Sequence, residues 1–409
     1  MKIAAVTPQP LAFGPRKPCG ILDDIRAFAG FGAATREERA DGVPYFVNEF
    51  WTARQRQAHS LHEISYRACF KPQLPAFFIS RLTRPGETVY DPFMGRGTTV
   101  VEAALLGRRA MGNDINPLSV CLTRPRLNPP TPIEIERRLG EIPWRAETSA
   151  NNADLLVFFH PETLAQILVL RAWLMEREAQ GKRDATDDWI RMVALNRLTG
   201  HSPGFFSVYT LPPNQAVSAE AQRKINARRQ QSPSPRDVPG LILKKSRALL
   251  KDGGLAAPPA LLLRAPAART PEIADGTVDL IVTSPPFLDV VGYAGDNWLR
   301  CWFAGIEVAT VPITNLKKEP DWRAFVRDCF KEFARVVRPG GHVAFEVGEV
   351  RGGRVLLEKS VIAAVAGLPF ERLGVLVNAQ AFTKTANCWG VANNAKGTNT
   401  NRVVLLRRR

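Results

Sequence analysis

The residues best suited to chemistry in this 409-residue chain are Ser284-Pro285-Pro286-Phe287, which follow the apolar run Val278–Thr283. Two prolines in succession stop a strand and fix the backbone after it. The Ser284 hydroxyl and the Pro285 carbonyl then form a pair of acceptors held in place in advance. Such a pair suits an exocyclic amine on a nucleic-acid base, whose lone pair is delocalised into the ring. Acceptors on the amine hydrogens draw the nitrogen toward a tetrahedral, nucleophilic form, a case of electrostatic preorganisation. Phe287 can stack on a base flipped out of a duplex. Group transfer to that nitrogen needs positioning and no covalent enzyme intermediate. Taken alone, the four residues are equally a structural stop followed by a core aromatic.

A second segment changes that balance. Asp91-Pro92-Phe93-Met94-Gly95-Arg96-Gly97-Thr98-Thr99 places two glycines where a strand meets a helix. Glycine lets a ligand press on the backbone, and the helix start offers unpaired N–H donors. In a dinucleotide enzyme those donors hold a pyrophosphate. The full G-x-G-x-x-G pattern is absent, because Val100 occupies the third glycine position. That argues against a nicotinamide or flavin enzyme. Asp114 ends the next strand, where a carboxylate can accept ribose hydroxyls or merely cap a turn. Asp91 lies where it can meet a cationic amino-acid group. Together these features suit a nucleoside bearing an amino acid, which describes S-adenosylmethionine.

The elements that position these residues follow from periodicity. Thr88–Asp91 and Ala110–Asp114 read as strands, and Thr98–Leu106 as a helix closed by Gly107. This βαβ unit implies a parallel sheet. Leu74–Leu82 has helical spacing, and residues 1–50 read as an irregular arm with one short helix near Ile21–Ala29. After the proline-rich Arg124–Pro132 come amphipathic helices at Pro161–Arg177 and Asp187–Leu198, then the loop His201–Asn214. Arg223–Lys251 carries nine basic residues against one acid, Asp237. Ala256–Ala268 reads as an apolar, proline-rich linker. Beyond the catalytic turn, Trp322–Val337 is predicted helical, His342–Val347 a strand, and Leu373–Phe382 with Arg402–Leu406 a closing strand pair. Arg407-Arg408-Arg409 reads as a solvated tail.

Length and charge agree with this division. Single cores stop growing at about 250–300 residues, so a catalytic domain with a large insertion is expected. Lys plus Arg is 55 and Asp plus Glu is 39, a net charge of +16. That excess favours a polyanion through phosphate contacts. Six scattered cysteines show no metal-ligand spacing, so no metal is expected and a reduced, intracellular protein is the simplest account. The first eight residues lack the apolar run of a signal peptide, and no run of 18 or more apolar residues suggests a membrane span.

The chain resembles the DNA amino-methyltransferases, the N4-cytosine and N6-adenine group. Asp91–Thr99 is similar to that family's glycine-loop motif, Asn113–Pro117 to its ribose-contact motif and Thr283–Phe287 to its catalytic motif. His62–Ile79, with Phe70-Lys71-Pro72, is similar to the segment that closes over the methionine moiety. Tyr293–Trp302 resembles the helix after the catalytic turn.

The resemblance implies a Rossmann-like α/β methyltransferase sheet with a largely helical inserted target-recognition region. It divides the chain into an arm (1–50), a catalytic domain (51–124 and 271–409) and an insertion (125–270). It implies S-adenosyl-L-methionine bound by Lys71, Asp91, Pro92, Phe93, Gly95, Gly97, Thr98, Asp114, Ile115 and Asn116, with Ser284, Pro285, Pro286 and Phe287 catalytic. Serine at the first catalytic position resembles the N4-cytosine branch. Adenine N6 is the competing target, and a non-catalytic DNA-binding protein with a retained core is a further alternative. Double-stranded DNA is the expected partner. Candidate contacts are His201, Tyr209, Asn214, Arg223, Lys224, Arg228, Arg229, Lys244 and Lys245. The resemblance also allows a cognate restriction endonuclease, and it places the protein in a prokaryotic cytoplasm at the nucleoid. The family often carries an acid before the catalytic strand, near the cofactor adenine. Leu263–Arg269 has none.

Overall fold

The computed structural model describes residues 20–51, 58–66, 69–145, 153–210, 216–288, 293–312, 316–350, 354–379 and 401–409. Its strands are β1 (Arg36–Ala40), β2 (Val43–Asn48), β3 (Thr88–Asp91), β4 (Arg109–Asn113), β5 (Leu261–Leu263), β6 (Val278–Thr283), β7 (Val337–Val347), β8 (Glu349–Val350), β9 (Val355–Leu356), β10 (Phe370–Asn378) and β11 (Asn401–Arg408). Nine of them form one sheet in the order β1-β2-β10-β11-β7-β6-β3-β4-β5, and β8 pairs with β9 apart from it. The central strands β7, β6, β3, β4 and β5 run parallel. β11 is antiparallel to β7 and to β10. This is the mixed α/β architecture expected of the sequence.

The helices are α1 (Ile21–Arg26), α2 (Gln73–Leu82), α3 (Thr98–Leu105), α4 (Pro117–Thr123), α5 (Pro132–Glu141), α6 (Pro161–Ala179), α7 (Ala185–Arg197), α8 (Ala219–Arg229), α9 (Val238–Leu249), α10 (Tyr293–Ala304), α11 (Glu319–Val336) and α12 (Leu357–Ala364). Two apolar clusters flank the sheet. One joins Val89, Leu280 and Val282 to α2, α3 and the helices of the insertion. The other joins Tyr90, Ile281, Val343 and Phe345 to α11 and α12. Alternate residues of β6 thus face opposite clusters, and the strand is buried on both sides as parallel sheets require.

The insertion is helical, as expected. Its α7 starts with a capping box in which Asp184 and Asp187 satisfy each other's backbone N–H. The α7 residue Trp189 donates its indole N–H to Ser246 of α9 at 2.9 Å. These helices also hold the flanking segments, since Arg171 Nε donates to the Trp302 carbonyl at 2.9 Å and Ser60 Oγ to the Leu249 carbonyl at 2.7 Å.

Three expectations need correction. Residues 36–48 are not an irregular arm. They form the hairpin β1–β2, and β2 runs parallel to β10, with Tyr45 opposite Val375. The stretch 256–268 is not simply a linker, because Leu261–Leu263 is the edge strand beside β4. Arg407 and Arg408 are not a solvated tail. They belong to β11, where Arg407 Nε reaches Glu371 at 2.9 Å and Arg408 Nε the Ala334 carbonyl at 2.9 Å. β7 also begins earlier than expected. Val278 faces Val337 and Leu280 faces His342, so the intervening Arg338–Gly341 bulge outward, and Gly340 supplies the φ of +77° the bulge requires.

Candidate active site

The chain leaves β3 for β4 and β5 on one side, then returns as β6 on the other. This reversal of strand order opens a crevice at the carboxyl ends of β3 and β6, the place where open α/β sheets bind ligands. A cavity of about 300 Å³ lies there. It is lined by Asp91, Pro92, Phe93, Gly95 and Thr98 of the glycine loop, by Asp114, Ile115 and Asn116, and by Ser284 and Pro286. Two neighbouring segments and a third nearly 200 residues further along the chain therefore converge on one cavity.

Local backbone demands explain the glycine loop. Gly97 has φ +76°, and a Cβ there would come within 2.3 Å of Thr123 Oγ1. Gly95 has φ +50° and donates its N–H to Asp114 Oδ2 at 2.8 Å. Asp114 Oδ1 accepts the Asn116 N–H at 2.9 Å. Burial pushes the Asp114 carboxyl up from its ordinary pKa, and these two backbone N–H donors pull it back. Asp91 is fully buried. Its Oδ1 accepts Thr283 Oγ1 at 2.5 Å and the Phe93 N–H at 3.1 Å, which ties the end of β3 to the end of β6. Burial pushes its pKa up to about 7.

Sequence reasoning missed several residues. Asn113 donates to the Ala265 carbonyl at 2.9 Å and accepts the Ala265 N–H at 3.0 Å, so it fixes the loop after β5 against the cavity. Arg96 also lines the cavity, but its guanidinium faces the entering segment, with Nη1 2.8 Å from the Ile64 carbonyl and Nη2 3.4 Å from that of Phe70. Tyr66 lines the same wall and its hydroxyl lies 3.3 Å from Asn116 Nδ2.

Around Ser284–Phe287 the decisive neighbours come from β7 and α11. Thr283 faces Phe345, so Ser284 and Glu346 lie side by side. The Ser284 hydroxyl hydrogen-bonds the Glu346 carboxyl, whose Oε1 also accepts Asn401 Nδ2 at 2.8 Å. Glu346 is buried, and its pKa is pushed up to about 7 by that burial. Trp322 donates its indole N–H to the Pro286 carbonyl at 2.8 Å. A Trp322→Phe variant keeps the ring and loses that donor. Steady-state kinetics should show turnover about tenfold lower, with cofactor affinity within about twofold of the parent.

Other expected site residues lie elsewhere. Lys71 is exposed and does not line the cavity, and neither do Gly97, Pro285 and Phe287. Phe287 packs on the second apolar cluster. His201 is exposed, 6.0 Å from the Phe205 ring. Tyr209 is half-buried beneath the Arg229 guanidinium, 3.8 Å from the ring centroid. Arg223, Lys224, Arg228 and Arg229 are exposed on α8. Two are ion-paired, Arg223 to Asp154 at 2.5 Å and Lys224 to Glu220 at 2.6 Å. Lys244 is exposed on α9, whereas Lys245 is tucked inward near Arg197, and burial lowers its pKa to about 8. Asn214 lies outside the described residues.

With that geometry in place, residues 33–121 match the DNA methylase family model, N6_N4_Mtase. Two curated relatives align over short spans of similar length. Type II methyltransferase M.MjaII of Methanocaldococcus jannaschii is 35% identical over 74 residues, 18% of this chain and 14% of that protein. Type II methyltransferase M.MvaI of Kocuria varians is 35% identical over 82 residues, 19% of this chain and 18% of that one. Both comparisons support the DNA methylase family. The alignments span less than a fifth of either relative. Among solved structures, TrmN from Thermus thermophilus covers 86% of this chain and 52% of its own at 14% identity, with a TM-score of 0.33. A likeness that weak carries no argument about activity. Among the described residues, no group of His, Cys, Asp and Glu could hold a metal ion, and no helix is long and apolar enough to cross a membrane.

Proposed function

We propose that this chain is a site-specific DNA methyltransferase that uses S-adenosyl-L-methionine and modifies the exocyclic N4 amine of cytosine in double-stranded DNA. One observation carries the reading. Ser284 lines the same cavity as Asp91 and Asp114, and buried Glu346 engages its hydroxyl.

The lining suits the proposed cofactor. Its carboxylates are matched to an ammonium group and ribose hydroxyls, and Arg96, its one basic residue among the described residues, spends its donors on backbone carbonyls and the Thr98 hydroxyl. A phosphate ligand would find few cationic partners there. Asp91 and Asp114 are the proposed contacts to the amino-acid and ribose parts, with the glycine loop beneath. When bound, the cofactor supplies an activated methyl group. Ser284 Oγ and the Pro285 carbonyl accept the amine hydrogens of a flipped base, and Phe287 guides that base into place. Glu346 then takes, through the Ser284 hydroxyl, the proton released when the nitrogen becomes methylated. The matching DNA methylase family, N6_N4_Mtase, covers both amine targets, and the serine favours cytosine.

The helical insertion 125–270 is the proposed DNA-reading region. The exposed basic residues of α8 and Lys244 meet phosphates, while His201 and Tyr209 approach base edges. The catalytic unit is 51–124 with 271–409, to which β1 and β2 add two strands. A cytoplasmic, nucleoid-associated enzyme with a cognate restriction endonuclease completes the proposal. Single-molecule sequencing of genomic DNA from a host expressing the protein tests it directly. N4-methylcytosine at one short motif supports it, N6-methyladenine overturns the base assignment, and unmodified DNA overturns the activity.

Glu346 also yields a pH signature. A pKa near 7 leaves the carboxyl protonated below neutrality, so turnover should rise as pH passes 7, and Glu346→Gln should flatten that rise. The stability effect has the opposite sense. The folded state holds this proton above the pKa of the unfolded chain, so stability is full below about pH 4.5 and declines toward pH 7. Glu346→Gln should therefore raise Tm by roughly 3–6 °C at pH 8 and by little at pH 4.5, as read by scanning calorimetry.

A further inference from the structure

The loop after β5 lines the cavity through Ala265, Pro266, Ala267 and Ala268, none of them a carboxylate, and the amine of a bound adenine has no acidic acceptor there. A different element reaches the same wall. Phe325 and Asp328 of α11 line the cavity and lie three residues apart, on one face of their helix. The Phe325 and Phe93 rings stand 5.9 Å apart at 54°, and Ala267 and Ala268 belong to the same apolar cluster. That corner offers two aromatic faces and two small apolar side chains to a flat heterocycle. Three aspartates line the cavity. Asp91 is buried and Asp114 half-buried, and the cofactor reading assigns both to the amino-acid and ribose parts, whereas Asp328 is exposed at the rim, 2.7 Å from Lys331 Nζ.

Resting on the cofactor reading above, we infer that Asp328 is the specificity-determining acceptor for the 6-amino group of the cofactor's adenine, taking over from helix α11 a role the loop after β5 cannot fill. The carboxylate accepts an amine hydrogen, Phe93 and Phe325 hold the ring, and Lys331 steadies the carboxylate from the solvent side. An exposed charged acceptor of this kind discriminates by about tenfold.

Calorimetric titration with S-adenosyl-L-homocysteine and with its analogue lacking the 6-amino group tests the assignment. The parent protein should bind the amino form about tenfold tighter. Asp328→Ala should bind both forms equally, near the affinity of the parent for the deamino form, and Asp328→Asn should keep part of the preference. Because Asp328 is exposed, neither change should alter the circular dichroism spectrum. A tenfold preference that survives in Asp328→Ala overturns the inference, as does a parent that shows no preference. Failure of the parent to bind S-adenosyl-L-homocysteine at all would instead overturn the cofactor reading.

Discussion

Replacing Ser284 with alanine should lower turnover by about 10²–10³-fold, the usual loss when one preorganised polar group is removed from a reacting centre. Affinity for S-adenosyl-L-methionine should stay within about twofold, because the role proposed for the hydroxyl is toward the base amine and not the cofactor. The structure sharpens this expectation. Ser284 sits beside Glu346 because Thr283 and Phe345 are paired in the sheet, so the hydroxyl is oriented by the fold. Removing it strips the amine of one acceptor and also cuts its route to the buried carboxyl. Single-turnover methylation and cofactor titration on the same preparation check both halves. Equal loss of turnover and cofactor affinity would refute the division of roles.

Asp114→Ala should weaken S-adenosyl-L-methionine binding by about 100-fold, the loss of two hydrogen bonds to a charged acceptor. Turnover at saturating cofactor should fall by no more than about threefold. Asp114 also shapes the loop, since its two oxygens hold the backbone N–H groups of Gly95 and Asn116. Asp114→Asn retains an acceptor on one side and should lie between the alanine variant and the parent. Calorimetry reads the affinity. Unchanged binding in the alanine variant would remove Asp114 from the cofactor site.

Central strands were legible in the chain. Thr88–Asp91 and Val278–Thr283 coincide with β3 and β6, because strands buried on both faces read as short apolar runs. The glycine loop, Asp114 and Ser284 were legible for a related reason. Positive φ, a helix start and a proline stop are local demands, and local demands select residue types. The edges were not. β1 reads Arg-Glu-Glu-Arg-Ala and is mostly exposed, and β5 is three half-buried leucines among alanines and prolines. An edge strand pairs on one side only, so its neighbour carries most of the signal, and β1 is held by β2 with Arg36 opposite Val47.

The same distinction runs through the site. Local sequence placed one wall of the cavity and the catalytic turn. Glu346, Trp322, Phe325 and Asp328 carry no motif, and their types are ordinary for a strand and an amphipathic helix. Strand register sets Glu346 against Ser284, and the packing of α11 on the sheet brings Trp322 to Pro286 and Asp328 to the cavity. Backbone conformation is set by neighbours in the chain, whereas burial and electrostatics depend on groups that meet only after the sheet has assembled.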